Sequence, residues 1–415
     1  VAKAKTQRTK QRRRYGPDDD VRADDLAPVV FRTAAVTGAA LLVVSVGLGM
    51  AAGDGFRRFL QSYLVAFMYA LSLGLGALFW VTLQHLVGAR WSVAVRRIGE
   101  LLASAMPLLA VLSLPVVVPV LLGNANLYPW VDAHLMESQH ALAAKRPFLN
   151  PTFFAVRWAV YFGFWSVLGY WLLRRSLAQD AVGGAEPLSA VRKLSPPAMI
   201  AFAITTSFGA IDYLMTLDPT WFSTIFGVYY FAGCVIAIHC ALALILMYLQ
   251  QQGRLTRSVT VHHFHDIGKM MFAFTVFWAY IAFSQFMLIW YANIPEETAW
   301  YRVRTRGEWL GVGVALIFGH FVFPFLGLLS RHVKRNRLGL AFWAVWLLVL
   351  HYVDLYYLAM PTFSPGAVPW SLLDLTCVGG LLALLVAWVA HRARGCDLVP
   401  TRDPRLAESL AFENL

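Results

Sequence analysis

FSTIFGVYYFAGCVIAIHCALALILMYLQ, residues 222–250, decides the fold class. It contains no Asp, Glu, Lys or Arg, and its one histidine is His239. A helix needs about 20 predominantly apolar residues to cross a bilayer, and this run exceeds that without a break. A barrel strand would instead show roughly ten residues of alternating polarity. Outward from this run the same pattern recurs, giving candidate spans at 30–51, 59–88, 93–122, 151–173, 196–216, 222–250, 262–291, 307–330, 338–359 and 367–391. The expectation is an all-α integral membrane protein with about ten transmembrane helices. A tail at 1–29 precedes a polytopic membrane domain at 30–395, and a second tail occupies 396–415.

Composition agrees. The chain has 415 residues, of which 59% are hydrophobic and 14% charged. An ordinary soluble domain carries about 25% charged residues, so a soluble globular enzyme is excluded. The first apolar segment does not read as a cleaved leader: a long polar stretch precedes it and no small-residue cleavage site follows.

The net charge is +12, and its distribution sets orientation. Of the 35 Lys and Arg, 25 lie in or beside segments on the N-terminal side, seven lie on the other side, and Arg32, Arg157 and Lys269 fall within spans. The positive-inside rule then places both termini in the cytoplasm. The charge is better explained by topology and anionic lipid than by nucleic acid. The basic run Lys3–Arg14, followed by Asp18, Asp19 and Asp20, reads as a solvated tail.

Cys234, Cys240, Cys377 and Cys396 form no CxxC or CxxCH motif. This excludes covalently bound c-type haem, an iron–sulfur centre and a zinc ribbon in this chain. No Walker-type phosphate loop is present.

A weak internal repeat links Arg97-Ile98-Gly99-Glu100, opening span three, with Asp266-Ile267-Gly268-Lys269, opening span seven. The offset of four spans suggests two parallel four-helix bundles, spans 2–5 and 6–9, with spans 1 and 10 peripheral.

Ionisable groups in hydrocarbon are costly and mark function or tethering. Glu100, His239, Lys269 and His320 fall toward the N-terminal side. Arg157, Asp212, His351, Asp354 and Asp374 fall toward the other. His351 and Asp354 share a helix face at a spacing that permits a hydrogen bond or a proton shuttle. The proton-pathway candidates are Asp212, His239, Lys269, His320, His351, Asp354, Glu100 and Asp374. The alternative for each is a satisfied helix–helix tether.

His262, His263, His265 and Asp266 crowd the entry of span seven and read as an interfacial cluster or proton-collecting mouth rather than a metal site. Asp218 followed by Pro219 reads as an N-cap and first turn of span six. The connection at 123–150 mixes acid, base and aromatic groups. Its His134, His140 and Lys145, with Arg157 just beyond, are the quinone- or partner-facing candidates.

The stretch Ser207-Phe208-Gly209-Ala210-Ile211-Asp212-Tyr213-Leu214-Met215-Thr216-Leu217-Asp218-Pro219-Thr220-Trp221-Phe222-Ser223-Thr224-Ile225-Phe226-Gly227-Val228-Tyr229-Tyr230-Phe231 resembles the signature of the smaller of the two large membrane subunits of bacterial alternative complex III, the ActF type. Lys145–Asn150 looks like that family's Lys-x-x-Tyr-Leu-Asn element, with Phe148 in the tyrosine place, and His262–Lys269 resembles its seventh-span entry. The likeness covers roughly 30–395. It implies an NrfD/PsrC-like protein of ten helices in two four-helix bundles. It also implies a place in a respiratory or photosynthetic complex that oxidises menaquinol and passes electrons to a cytochrome c, a cupredoxin or a terminal oxidase. The implied partners are a sister NrfD-like subunit and subunits bearing iron–sulfur clusters and multiple c-type haems. This chain itself would hold no covalent cofactor. It would contribute proton half-channels, a quinone-binding region, or both, the main quinol site being assigned to the sister subunit. The Phe148 replacement removes a phenol from this region.

Two other classes remain open from the residues alone. One is a structural membrane anchor. The other is a secondary transporter, disfavoured because no paired Gly/Pro-broken helices occupy matching places in the two halves.

Overall fold

A computed structural model of the chain describes residues 19–138, 140–184 and 186–414; the basic run Lys3–Arg14 and Asp18 lie outside them. The described residues form helices and loops, with no strand beyond a lone bridge between Asp20 and Arg254. Long helices follow in chain order: α1 (Leu26–Ala51), α2 (Arg57–Leu86), α3 (Val93–Leu121), α4 (Pro151–Val182), α5 (Glu186–Tyr213), α6 (Phe226–Gln251), α7 (Val261–Ala292), α8 (Glu308–Leu329), α9 (Arg337–Phe363) and α10 (Leu372–Arg392).

Among the described residues, nine of the helices are long and apolar enough to cross a membrane, consistent with a multi-pass membrane protein. The exception is α4. It has 32 residues, but Arg157 and the tryptophans and tyrosines along it lower its apolarity. It still runs the full height of the assembly. Asp180, near its end, meets Arg97 at the start of α3, and Arg157, near its start, meets Asp212 at the end of α5.

Local chemistry sets the ends. Asn150 caps α4, accepting from Phe153 N at 2.8 Å, with Pro151 at the first helical position. Thr260 and His263 form a capping box on α7, and Ser371 and Asp374 form one on α10. Asp218 does not cap α6, which begins at Phe226. Its Oδ1 accepts from Thr220 N (3.1 Å) and the Thr220 hydroxyl (2.5 Å), closing a local turn that competes with the helix.

Burial shows which helices are central. In the most apolar 18-residue stretch of α2, 94% of residues are buried, against 78% for α6 and 17% for α1. An apolar helix surrounded on all sides has no polar face to present, which explains the near-uniform apolarity of 222–250. Helix α2 packs on α3, α5, α6, α9 and α10, and α6 packs on α2, α5, α7 and α9. Gly76 makes the α2–α6 approach possible, since a Cβ there would run into the Cys234 carbonyl. Helices α1 and α10 pair through Gly38 and Gly380 at the edge.

The segment after α10 is packed rather than a free tail. Leu398, Val399, Asp403, Leu406 and Ser409 are all buried. The chain crosses the helix ends that also carry residues 19–25, with Gly395 N donating to Asp24 at 2.8 Å. This is the terminal end of the assembly. The loops 123–150, 218–225, 293–307 and 364–371 form the far end.

Candidate functional site

The sequence-derived candidates separate into three groups with different surroundings. The first is an ion network at the terminal end. Glu100 accepts from Arg96 Nε (2.9 Å) and Arg97 Nε (3.1 Å). Arg96 reaches Asp403 at 2.9 Å, and Arg97 reaches Asp180 at 2.6 Å and the Asp397 carbonyl at 2.9 Å. Each oxygen of Glu100 thus faces an arginine, and the network clamps the C-terminal segment to α3 and α4. Burial pushes the Asp403 carboxyl up, but hydrogen bonds from Arg405 and the charge of Arg96 outweigh it and hold the group below the usual carboxylate range.

Lys269, expected within a span, is exposed and pairs with Asp266 one turn away. Asp266 also bonds the side chain of Asn414, and His262 Nδ1 accepts from Asn414 N at 2.9 Å. His263 serves the cap of α7 and approaches the Ser409 hydroxyl at 3.3 Å. The histidine-rich entry of α7 therefore docks the C-terminal segment.

The second group is at the far end. Arg157 grips Asp212 with two bonds of 2.8 Å, and the Tyr161 hydroxyl donates to the same carboxylate at 2.9 Å. Phe148 lies over the guanidinium at 3.9 Å and Phe153 at 4.4 Å, sealing it. The phenylalanine at 148 is thus a cation–π lid. Lys145 donates to the Pro219 carbonyl at 2.6 Å, and burial pulls its ammonium below the usual lysine range. His134 and His140 are exposed on the loop surface. The four quinone- or partner-facing candidates do not converge on one cavity. Asp374 is likewise a tether: it pairs with Arg58 at 2.7 Å and accepts from the Ser62 hydroxyl at 2.8 Å.

The third group lies mid-height, between α2 and α6–α9, and brings together ring nitrogens with no hydrogen-bond partner among the described residues. His351 Nε2 lies 2.9 Å from the Ser72 hydroxyl, while its Nδ1 has no partner. The His320 ring is 6.5 Å from that of His351 and 4.2 Å from Trp278 by centroids, and neither of its nitrogens has a partner. Trp278 Nε1 donates to Asp354 at 3.0 Å, and the Tyr229 hydroxyl donates to the other oxygen at 2.6 Å. His351 and Asp354 share a face as expected but make no bond to each other; each uses a different neighbour. The two histidines assigned to opposite halves, His320 and His351, come together here. His239 stands apart, with Nδ1 on the Val235 carbonyl at 2.7 Å and its ring stacked on Phe274.

Helix geometry delivers His320 to this place. α8 contains a π-turn at Ile317–Val322, two residues before Pro324. Proline has no N–H to return to the His320 carbonyl, and Trp346 Nε1 takes the adjacent Gly319 carbonyl at 2.7 Å. π-turns recur at functional sites because they re-aim one side chain.

Tyr229 and Trp278 also line a cavity of about 640 Å³ between α7, α8, α9 and the helix Pro295–Arg304. Its other walls include Gln285, Tyr301, Arg304, Tyr357 and apolar side chains of α7 and α8. Phe283, Leu310, Val314 and Ile317 are exposed, so the cavity opens on the apolar flank. Trp278 and Arg304 were not among the sequence candidates. Arg304 reads in sequence as one of three loop cations with Arg302 and Arg306, and only its spacing from Trp300 hints at a helix face.

Compared with known proteins, the chain matches no family model and no curated relative.

Proposed function

We propose that the chain is a cofactor-free integral membrane subunit of a menaquinol:electron-acceptor oxidoreductase of the alternative complex III type, in which it conducts protons along the mid-height polar array. Both termini lie in the cytoplasm of a bacterial cell, and α4 counts as the tenth crossing. The partners are a sister NrfD-like subunit and subunits bearing iron–sulfur clusters and multiple c-type haems, which carry the electrons.

The observation that carries this reading is the set His351, His320 and Asp354. These are buried titratable groups, two of them with free ring nitrogens, held close together in the apolar interior. A purely structural tether has no need of unpaired polar atoms, whose burial is costly, whereas a proton relay with bound water uses them. Packing supports the two-bundle form: the neighbours α2–α3, α3–α4, α4–α5 and α5–α2 recur as α6–α7, α7–α8, α8–α9 and α9–α6.

Purification from the native membrane tests the proposal. The expected result is a stable complex containing multihaem and iron–sulfur subunits with menaquinol-dependent turnover. A chain that purifies alone, with no redox partner, overturns it.

A further inference from the structure

Buried or half-buried cations at the terminal end of the assembly are mostly paired. Arg22, Arg90, Arg96, Arg97 and Arg254 each meet a carboxylate. Arg174, Arg175, Arg192 and Lys193, between α4 and α5, are exposed and keep their water. The turn between α8 and α9 follows neither pattern. Its sequence, Arg331-His332-Val333-Lys334-Arg335-Asn336-Arg337, holds four fixed positive charges and no acid.

This turn is pressed into the protein. The short helix Arg331–Arg335 lies on α7, α8 and α9. Gly268 of α7 admits the Lys334 stem, since a Cβ there would lie 3.0 Å from Lys334 Cγ. Lys334 is thereby held against the face of α7 that carries His265 and Phe272, one turn to either side of Gly268. Its Nζ stands 5.3 Å from the Phe272 ring centroid.

The donors here are only partly used. Lys334 Nζ donates to the Leu328 carbonyl at 2.6 Å and the Leu329 carbonyl at 3.1 Å, closing the end of α8. An ammonium has three donors, so one remains. Arg335 is half-buried, and its Nη1 has no acceptor among the described residues. His265 is 5% exposed, and its Nδ1 also lacks a partner. The charges bearing on that ring are Lys269, Lys334 and Arg335, against the single carboxylate of Asp266. Asp266 is already committed to Lys269 and to the Asn414 side chain. Arg331 reaches the Asn414 carbonyl at 3.3 Å and Arg337 lies over the Phe264 ring, and neither contact brings an acid. Cations withdrawn from water are normally neutralised by a partner; this corner is left with an excess of positive charge.

The surroundings select the anion. Leu326 and Leu329 near the end of α8, and Leu338 and Phe342 at the start of α9, are each more than half exposed. The cations therefore sit where an apolar flank meets the polar end of the helices. A phosphodiester carrying acyl chains satisfies both parts, its oxygens facing the donors and its chains facing the leucines. A basic pocket between membrane helices is a recurrent setting for such head groups. A free inorganic anion satisfies only the first part. A zwitterionic head group brings its own cation to a corner already in excess.

We propose that this corner binds the phosphodiester of an anionic glycerophospholipid, with Lys334 and Arg335 donating to its oxygens, His265 beside them, and its acyl chains along Leu329, Leu338 and Phe342. The proposed function supplies only the leaflet: with the termini in the cytoplasm, the lipid belongs to the inner one.

The test measures lipid retained by the purified full chain in mild detergent, by native mass spectrometry, offering dioleoylphosphatidylglycerol against dioleoylphosphatidylcholine. The parent is expected to retain phosphatidylglycerol about tenfold or more tightly. Arg335→Gln, which breaks no hydrogen bond among the described residues, is expected to lose most of that preference. Arg175→Gln, at an exposed cation of the same end, is expected to keep it. Arg335→Glu supplies the missing carboxylate from the chain itself. It is expected to abolish the preference and the rise in melting temperature that phosphatidylglycerol gives the parent. Millimolar inorganic phosphate is expected to leave the lipid bound. Equal retention of the two lipids by the parent, equal losses in Arg335→Gln and Arg175→Gln, or displacement by inorganic phosphate each overturns the inference. These readouts involve no redox partner, so failure of the site leaves the proposed function standing, and loss of the partners leaves the lipid result standing.

Discussion

The imidazole of His351 on α9 packs directly against the backbone of Gly233 on α6: a Cβ at 233 would run into its Cε1 and lie 2.8 Å from its Nδ1. The glycine is what leaves room for a ring at the centre of the helix assembly, between Ser72 and His320.

Gly233→Ala is therefore a probe of His351 that leaves the histidine in place. The added methyl must push the ring off the Ser72 hydroxyl or separate α6 from α9. Overpacking of this kind costs about 1–3 kcal/mol, so the melting temperature should fall modestly. Under the proposed function, proton release per electron in the assembled complex should fall further than stability predicts. His351→Ala in the Gly233→Ala background should add little, because both act on one ring.

Asp212 behaves differently. Its carboxylate accepts two bonds from Arg157 and one from Tyr161. Removing one partner of a buried, hydrogen-bonded ion pair costs about 3–5 kcal/mol. Asp212→Asn and Arg157→Met should each lower thermal stability sharply, and Arg157→Met with Asp212→Leu should recover part of the loss. If Asp212→Asn leaves the melting temperature unchanged yet stops turnover, Asp212 is a proton carrier and the tether is the wrong reading.

The contrast between these residues explains what was legible in the sequence. Runs such as 222–250 specify membrane helices because continuous apolarity has few other solutions. The same uniformity hides the helix faces, so the sequence could not show that His320 and His351 meet or that Asp212 is paired. Depth along a helix is readable by counting, but azimuth is not when every face is apolar. Asp218 failed as a cap because its side chain closed a nearer turn. The C-terminal segment misled for another reason: its charges look solvated, yet Asp403 is neutralised by Arg96, more than 300 residues earlier in the chain.

That pairing has a pH signature. Asp403 has a depressed pKa in the folded protein, so it contributes stability at pH values above the ordinary carboxylate value of about 3.9. The contribution is lost as pH falls through the folded value. Asp403→Asn should therefore destabilise most near neutrality, with the difference from the parent shrinking below about pH 4. Thermal melts of both proteins across pH 3–8, a range chosen to bracket about 3.9, measure this. A difference that grows on acidification would contradict the pairing.

Asp354 is the residue whose substitution separates a relay from a scaffold most cleanly. Two donors, Tyr229 and Trp278, each hold one of its oxygens. An asparagine offers only one acceptor oxygen, so one donor is left unsatisfied at a cost of about 1–3 kcal/mol. Leucine removes the acceptors altogether and leaves both donors facing hydrocarbon, so it should be the less stable variant. A scaffold would then rank the proteins by stability, with activity following: parent, Asn, Leu. A relay gives another order, because neither asparagine nor leucine can carry a proton. Asp354→Asn should assemble normally and retain most of its stability, yet lose about a hundredfold or more in menaquinol-dependent turnover, within the range typical of removing a positioned proton-transfer group. Asp354→Glu should restore part of the rate despite its poorer fit. Turnover that tracks melting temperature across Asn, Glu and Leu would assign Asp354 to the scaffold.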